Sequence, residues 1–258
     1  MRVFAVSDVH IDYDVNARWI AELSTSDYQA DVLILAGDVS DTFGLLGWCL
    51  ETLAKRFRTV LFVPGNHDLW VIRDLKDKNS LQKFDEVRAL AESSGVSMQP
   101  FRAAGLSIIP LLGWYDYSFG LPTDELRSMW MDYRACRWPD GYTEREVAAH
   151  FAALNETQAD AANGGPVDGM VITYSHFLPR IDVMPGFIPA QGKLLYPVLG
   201  TTRLDEQLRG LHSQIHVYGH SHVRRNVTID GVSYINNAIG YPSETWLTSK
   251  GLQCIHEC

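Results

Sequence analysis

Five short apolar runs limit how this chain can fold, because each stops abruptly at polar residues able to bind metals or move protons. The clearest is Thr59-Val60-Leu61-Phe62-Val63, followed by Pro64-Gly65-Asn66-His67-Asp68. A β-branched and aliphatic run without polar alternation describes a strand buried on both faces. Pro64 and Gly65 end it in a turn. Val3–Ser7 leads in the same way into Asp8-Val9-His10, and Val32–Ala36 into Gly37-Asp38. Residues 169–174 lead to Ser175-His176, and Gln214–Tyr218 to Gly219-His220-Ser221-His222. Residues 14–24, 43–57 and 80–94 carry apolar positions at helical spacing between the runs. Strand and helix in alternation predict a layered α/β fold with crossover connections. Loops at the C-terminal ends of such strands are where these folds place their chemistry.

The rest of the chain fills in this frame. Val227–Asn236 predicts a hairpin turning at Asp230-Gly231. Residues 177–202, rich in Gly and Pro, predict one long loop, and 203–210 a short helix. Residues 114–142 hold eight aromatics, well above the 11% of the whole chain. Thr143-Glu144-Arg145-Glu146 is a capping box that predicts a helix to about Asn163, stopped by Gly164-Gly165-Pro166. Residues 114–166 are therefore expected to form a helical cap inserted into a single domain spanning 1–258. Trp114 and Tyr115, at the end of a predicted strand, are the expected wall residues of a pocket beneath it.

Charge and cysteine usage narrow the partners. A net charge of −9 argues against a broad nucleic-acid or anionic-membrane footprint. The first residues read as a strand and not a signal peptide, and no apolar run is long enough to span a membrane. Cys49, Cys136, Cys254 and Cys258 lack the spacing of a disulfide framework. Reduced thiols and a cytoplasmic location are the expectation.

The polar clusters fit together chemically. Asp8, His10, Asp38, Asn66, His176, His220 and His222 offer carboxylate, imidazole and amide oxygen without thiolate. That mixture suits divalent transition metals: manganese first, with iron, zinc or cobalt as alternatives. Seven donors exceed what one ion of about four to six ligands takes, and fit two ions sharing a carboxylate. His150, His212, His216 and His256 lie in helical, strand or tail contexts and read as structural.

In order and spacing, Asp8-Val9-His10, Gly37-Asp38-Val39-Ser40-Asp41, Gly65-Asn66-His67-Asp68, His176 and Gly219-His220-Ser221-His222 resemble the calcineurin-like metallophosphoesterase superfamily. The resemblance implies two facing β-sheets flanked by helices. It implies one metal on Asp8, His10, Asp38 and His222 and another on Asp38, Asn66, His176 and His220, with Asp38 bridging. It also gives His67 a contact with the substrate phosphate and a part in the leaving group's departure. Asp68, or a backbone carbonyl, is expected to orient the His67 ring. Protein phosphatases of this superfamily carry Arg-Gly after the second Asp of the Gly-Asp motif, and Glu after Asn-His; here Thr42-Phe43 and Asp68 stand there. The chain is therefore closer to the phosphodiesterase-like and small-molecule branches, with Arg180 or Arg203 as substitute phosphate contacts. The expected reaction is attack on a small phosphoester by a water deprotonated at the two metals. A nuclease on the same site, a non-catalytic binding scaffold on this fold and a mononuclear centre are the competing readings.

Overall fold

The computed structural model describes residues 1–73, 77–103, 105–162 and 169–258. The first sheet grows from β1 (Arg2–Val6), β2 (Val32–Ala36) and β3 (Thr59–Val63), all parallel. Their registers, Val6 beside Leu35 and Leu35 beside Phe62, bring the three C-terminal ends to one edge. Helices α1 (Asp14–Glu22) and α2 (Phe43–Ala54) make the crossovers. In α2, Leu46, Cys49, Leu50 and Leu53 face the core and are fully buried. Helix α3 (Ser80–Ser93) starts at a capping box of Asn79 and Gln82.

The second sheet has the order β4-β5-β6-β7-β9-β8. Its strands are β4 (Phe101–Ala103), β5 (Leu106–Pro110), β6 (Met170–Tyr174), β7 (Ile215–Tyr218), β8 (Arg225–Ile229) and β9 (Val232–Asn236). The inner four are parallel, and β4 and β8 close the edges antiparallel. The hairpin turns at Asp230-Gly231, both with positive φ. One continuous apolar core joins the two sheets.

Two readings change. The C-terminal stretch is a strand, β10 (Gln253–Glu257), antiparallel to β1 at the sheet's outer edge. Its polar, half-exposed composition hides it, and its cysteines are free. The long loop after β6 contains helical turns at Ile181–Val183, Ala190–Lys193 and Tyr196–Val198. The segment after β5 folds into short helices at Asp124–Met129 and Asp132–Ala135, then a long one at Glu144–Ala162. The predicted Gly164-Gly165-Pro166 stop lies outside the described residues. Among the described residues, no helix is long and apolar enough to cross a membrane.

Candidate metal centre

The loops that leave β1, β2, β3, β6 and β7 converge. Asp8, His10, Asp38 and His222 bring one donor atom each within 4.8 Å of one another, and Asp38, His176 and His220 form a second such group. Asn66 joins the second group, with Oδ1 3.1 Å from His176 Nε2. All seven side chains are buried. Five of them, Asp8, His10, Asp38, His220 and His222, have positive φ between 39° and 65°. For residues other than Gly that backbone is costly, and Asp, Asn and His bear it best. The left-handed backbone turns these side chains toward the cleft within four residues of the strand ends.

Glycine is required beside them. A Cβ on Gly65 would stand 2.6 Å from the Asp38 amide nitrogen, and one on Gly37 2.7 Å from the Gly65 nitrogen. Neither backbone can yield without moving Asp38. Gly65→Ala is therefore expected to destabilise the fold by about 3 kcal/mol, lowering Tm by roughly 6–12 °C. A melt unchanged within a degree would show that the loops are not locked together in this way.

The donors are also oriented from behind. His176 Nδ1 donates to the Ala36 carbonyl at 2.9 Å, which turns the Nε2 lone pair into the cleft. His220 is reversed: Nε2 donates to the Val198 carbonyl at 3.0 Å and Nδ1 faces inward. His222 Nδ1 donates to Glu244 Oε2 at 2.6 Å. Such partners fix the tautomer a metal needs. Asp8 accepts from the His220 backbone N–H at 2.9 Å and from the Ser7 hydroxyl.

The donor set fits metal ions. The separations are 3.0 Å for His10 Nε2 to His222 Nε2 and 3.3 Å for His222 Nε2 to Asp8 Oδ1. In the second group they are 3.1 Å for His176 Nε2 to His220 Nδ1 and 3.4 Å for His176 Nε2 to Asp38 Oδ2. Two donors about 2.1 Å from one ion lie about 3.0 Å apart at a right angle and about 3.4 Å apart at the tetrahedral angle. Without a cation, the carboxylates hold protons on the rings instead. Burial opposes charge on His222, but Asp8 and Glu244 raise it to about 10. Burial likewise opposes charge on His176, and Asp38 raises it to about 9. Burial and the neighbouring His176 push His220 down to about 3.

Asp68 does not touch the His67 ring as expected. Its carboxylate accepts from the backbone N–H groups of Asp38, Val39, Ser40 and Gly65 at 2.8–3.0 Å. It clamps the loop after β2 to the loop after β3. The His67 ring is held by Trp70, stacked at 3.7 Å between centroids, and its Nε2 lies 3.4 Å from Tyr241 Oη. Arg180 is engaged by Asp182 and Asp230, and Arg203 by Asp116.

The cleft walls also differ from expectation. Trp114 and Tyr115 are 0% and 1% exposed and pack against Phe177. Trp130 takes the wall position. It stands edge-on to His220 and lines a cavity of about 250 Å³ with Met129, Met131, Leu195 and Trp70. A second, more polar cavity of about 520 Å³ opens beside His10, lined by Asp12, Tyr13, Thr42 and Arg73. His67 and Tyr241 border both.

A family model for calcineurin-like phosphoesterases matches residues 1–224. The chain belongs to the calcineurin-like phosphoesterase family. As a calcineurin-like phosphoesterase it carries out metal-dependent phosphoester hydrolysis with divalent metal ions as cofactors. It is 28% identical over 272 residues to the acyl-carrier-protein phosphodiesterase PptH of Mycobacterium tuberculosis, spanning 96% of this chain and 80% of that one. The crystal structure of the phosphopantetheinyl hydrolase PptH from that organism matches with a TM-score of 0.79 at 25% identity, over 98% of this chain and 95% of that one. TT1561 of Thermus thermophilus shares the fold, with a TM-score of 0.50 at 13% identity over 93% and 89% of the two chains.

Proposed function

We propose that this phosphoesterase is a dinuclear phosphodiesterase whose substrate carries an extended organic arm, of the phosphopantetheinyl kind, joined through phosphate to a carrier protein. The observation that carries the reading is the pair of unlike cavities that His67 and Tyr241 both border. A diester has two organic substituents, one on each side of phosphorus, whereas a monoester has one. The smaller, more apolar slot suits an arm, and the larger, more polar cavity suits the approach of a larger partner. The relative PptH is named for a diester of this class.

In this reading Asp8, His10, Asp38 and His222 would hold one ion, manganese in preference, and Asp38, Asn66, His176 and His220 would hold the other. Bound there, two divalent ions supply Lewis acidity and lower the pKa of water toward neutrality. The chain's own part is positioning and proton transfer. Asp38 and Asp8 supply the negative charge that sets the ions, and buried rings exclude bulk water around them. His67 Nε2 faces the cleft beside Tyr241 Oη and gives a proton to the departing ester oxygen. Water adds to phosphorus, one P–O bond breaks, and the products are a phosphomonoester and an alcohol. The four unpaired cysteines suit a reducing, cytoplasmic setting.

Purified protein is expected to bind two transition metals per chain and lose hydrolysis to a chelator. Loaded with Mn²⁺, it should turn over bis(p-nitrophenyl) phosphate and a phosphopantetheinylated carrier protein faster than a phosphoserine peptide. Full turnover in metal-free protein, or a preference for the phosphopeptide, would overturn the proposal.

A further inference from the structure

We infer that Asp132 is a positioning residue through which the segment after β5 sets both the amide of Asn66 and the wall of the arm's slot. The inference rests on the dinuclear phosphodiesterase reading above. Asp132 belongs to none of the strand-end loops, and its side chain is buried. Its Oδ1 accepts from Asn66 Nδ2 at 2.9 Å and from Trp70 Nε1 at 2.7 Å. Its Oδ2 accepts from Trp130 Nε1 at 2.8 Å. One carboxylate therefore gathers three neutral donors, two from the turn after β3 and one from its own segment.

Each bond has a consequence for chemistry. With its NH2 group given to Asp132, Asn66 must turn its oxygen toward His176 Nε2, 3.1 Å away. A flipped amide would present hydrogens there and could not ligate. Trp70, held by its indole N–H, keeps its face against the His67 ring. Trp130, held in the same way, stands over His220 and walls the slot. An apolar residue at 132 would leave all three N–H groups without their acceptor. The burial of a carboxylate here is explained by what it orients.

The test uses Asp132→Leu, which keeps the branched shape and removes both acceptor oxygens from the three donors. Calorimetric titration of metal-free protein with Mn²⁺ should show the affinity of one of the two sites falling roughly 10–100-fold, the usual effect of losing an outer-shell partner. The other site should keep its affinity. A second variant, Trp130→Phe, removes one donor and shortens the slot wall while leaving the Asn66 bond. It should bind both ions as wild type does, yet raise KM severalfold for the arm-bearing carrier diester and not for bis(p-nitrophenyl) phosphate. Folded Asp132→Leu protein with two sites of wild-type affinity would overturn the inference, as would Trp130→Phe protein with KM unchanged for both substrates. Wild-type protein inactive on every diester would instead overturn the phosphodiesterase reading, and the metal titration would still judge Asp132.

Discussion

Asp38→Asn should cost this phosphoesterase both firm metal binding and turnover, with kcat falling at least on the order of 10³-fold. Asp38 Oδ2 lies 3.8 Å from His10 Nε2 and 3.4 Å from His176 Nε2, so the same atom faces both groups of donors. A carboxylate shared by two ions stabilises both and sets the charge balance of the centre. Loss of several kcal/mol of transition-state stabilisation corresponds to three decades or more in rate. Asparagine is the informative replacement, since Asp38 sits at φ 55°. Alanine there would add backbone strain to the lost charge, whereas asparagine tolerates the left-handed region. It also keeps an oxygen for the His67 backbone N–H, which Asp38 Oδ1 accepts at 2.9 Å. Metal per chain after desalting and kcat on an aryl diester give the result. Two ions bound at wild-type affinity would show that Asp38 does not bridge.

The same centre predicts how uptake depends on pH. Without metal, His176 and His222 titrate at about 9 and about 10, so both hold a proton at neutral pH. Each must release that proton to offer its lone pair. Apparent affinity should therefore fall as pH drops from 9 to 6, with proton release during titration.

The strand-end clusters were legible in the sequence because they need only local chemistry. An apolar run shows the strand, and Gly or Pro shows where it stops. Asp, Asn and His then mark what the loop delivers. The left-handed backbone at five of the seven donors was not legible, since Asp and His occur there and elsewhere alike. Nor were the partners behind the donors. Glu244 lies in an irregular stretch without periodicity, and only the fold brings it to His222. Asp132 was one acid among many aromatics, with nothing local to show that Asn66 would reach it. The expectation for Trp114 and Tyr115 rested on their place after a strand. That strand ends at Pro110, and both residues are buried in the core, Trp114 against Trp138 and Phe177 and Tyr115 against Phe177. Asp68 follows His67 in sequence, but a 3₁₀ turn over His67–Leu69 points its carboxylate back at the backbone.

His67→Ala should separate proton transfer from metal binding. Its side chain is 16% exposed, while the other four cleft imidazoles are buried to a greater degree. It borders both flanking cavities, and its Nε2 stands 4.0 Å from Asp38 Oδ2, outside either group of metal donors. The backbone N–H that anchors Asp38 remains in the variant. Both ions should therefore stay bound at wild-type affinity. The rate should fall on the order of 10²–10⁴-fold, the usual contribution of a general acid. The size of the loss should follow the leaving group. An alkoxide from a carrier-protein serine needs a proton as it departs, whereas p-nitrophenolate is stable without one. The full loss is expected on the carrier diester and a much smaller one on bis(p-nitrophenyl) phosphate. An equal loss on both substrates would mean that His67 stabilises the phosphate and does not protonate the leaving oxygen. Loss of an ion from the variant would place His67 among the ligands, and the proton would then have to come from elsewhere in the cleft, where Tyr241 Oη is the nearest donor to the same atom.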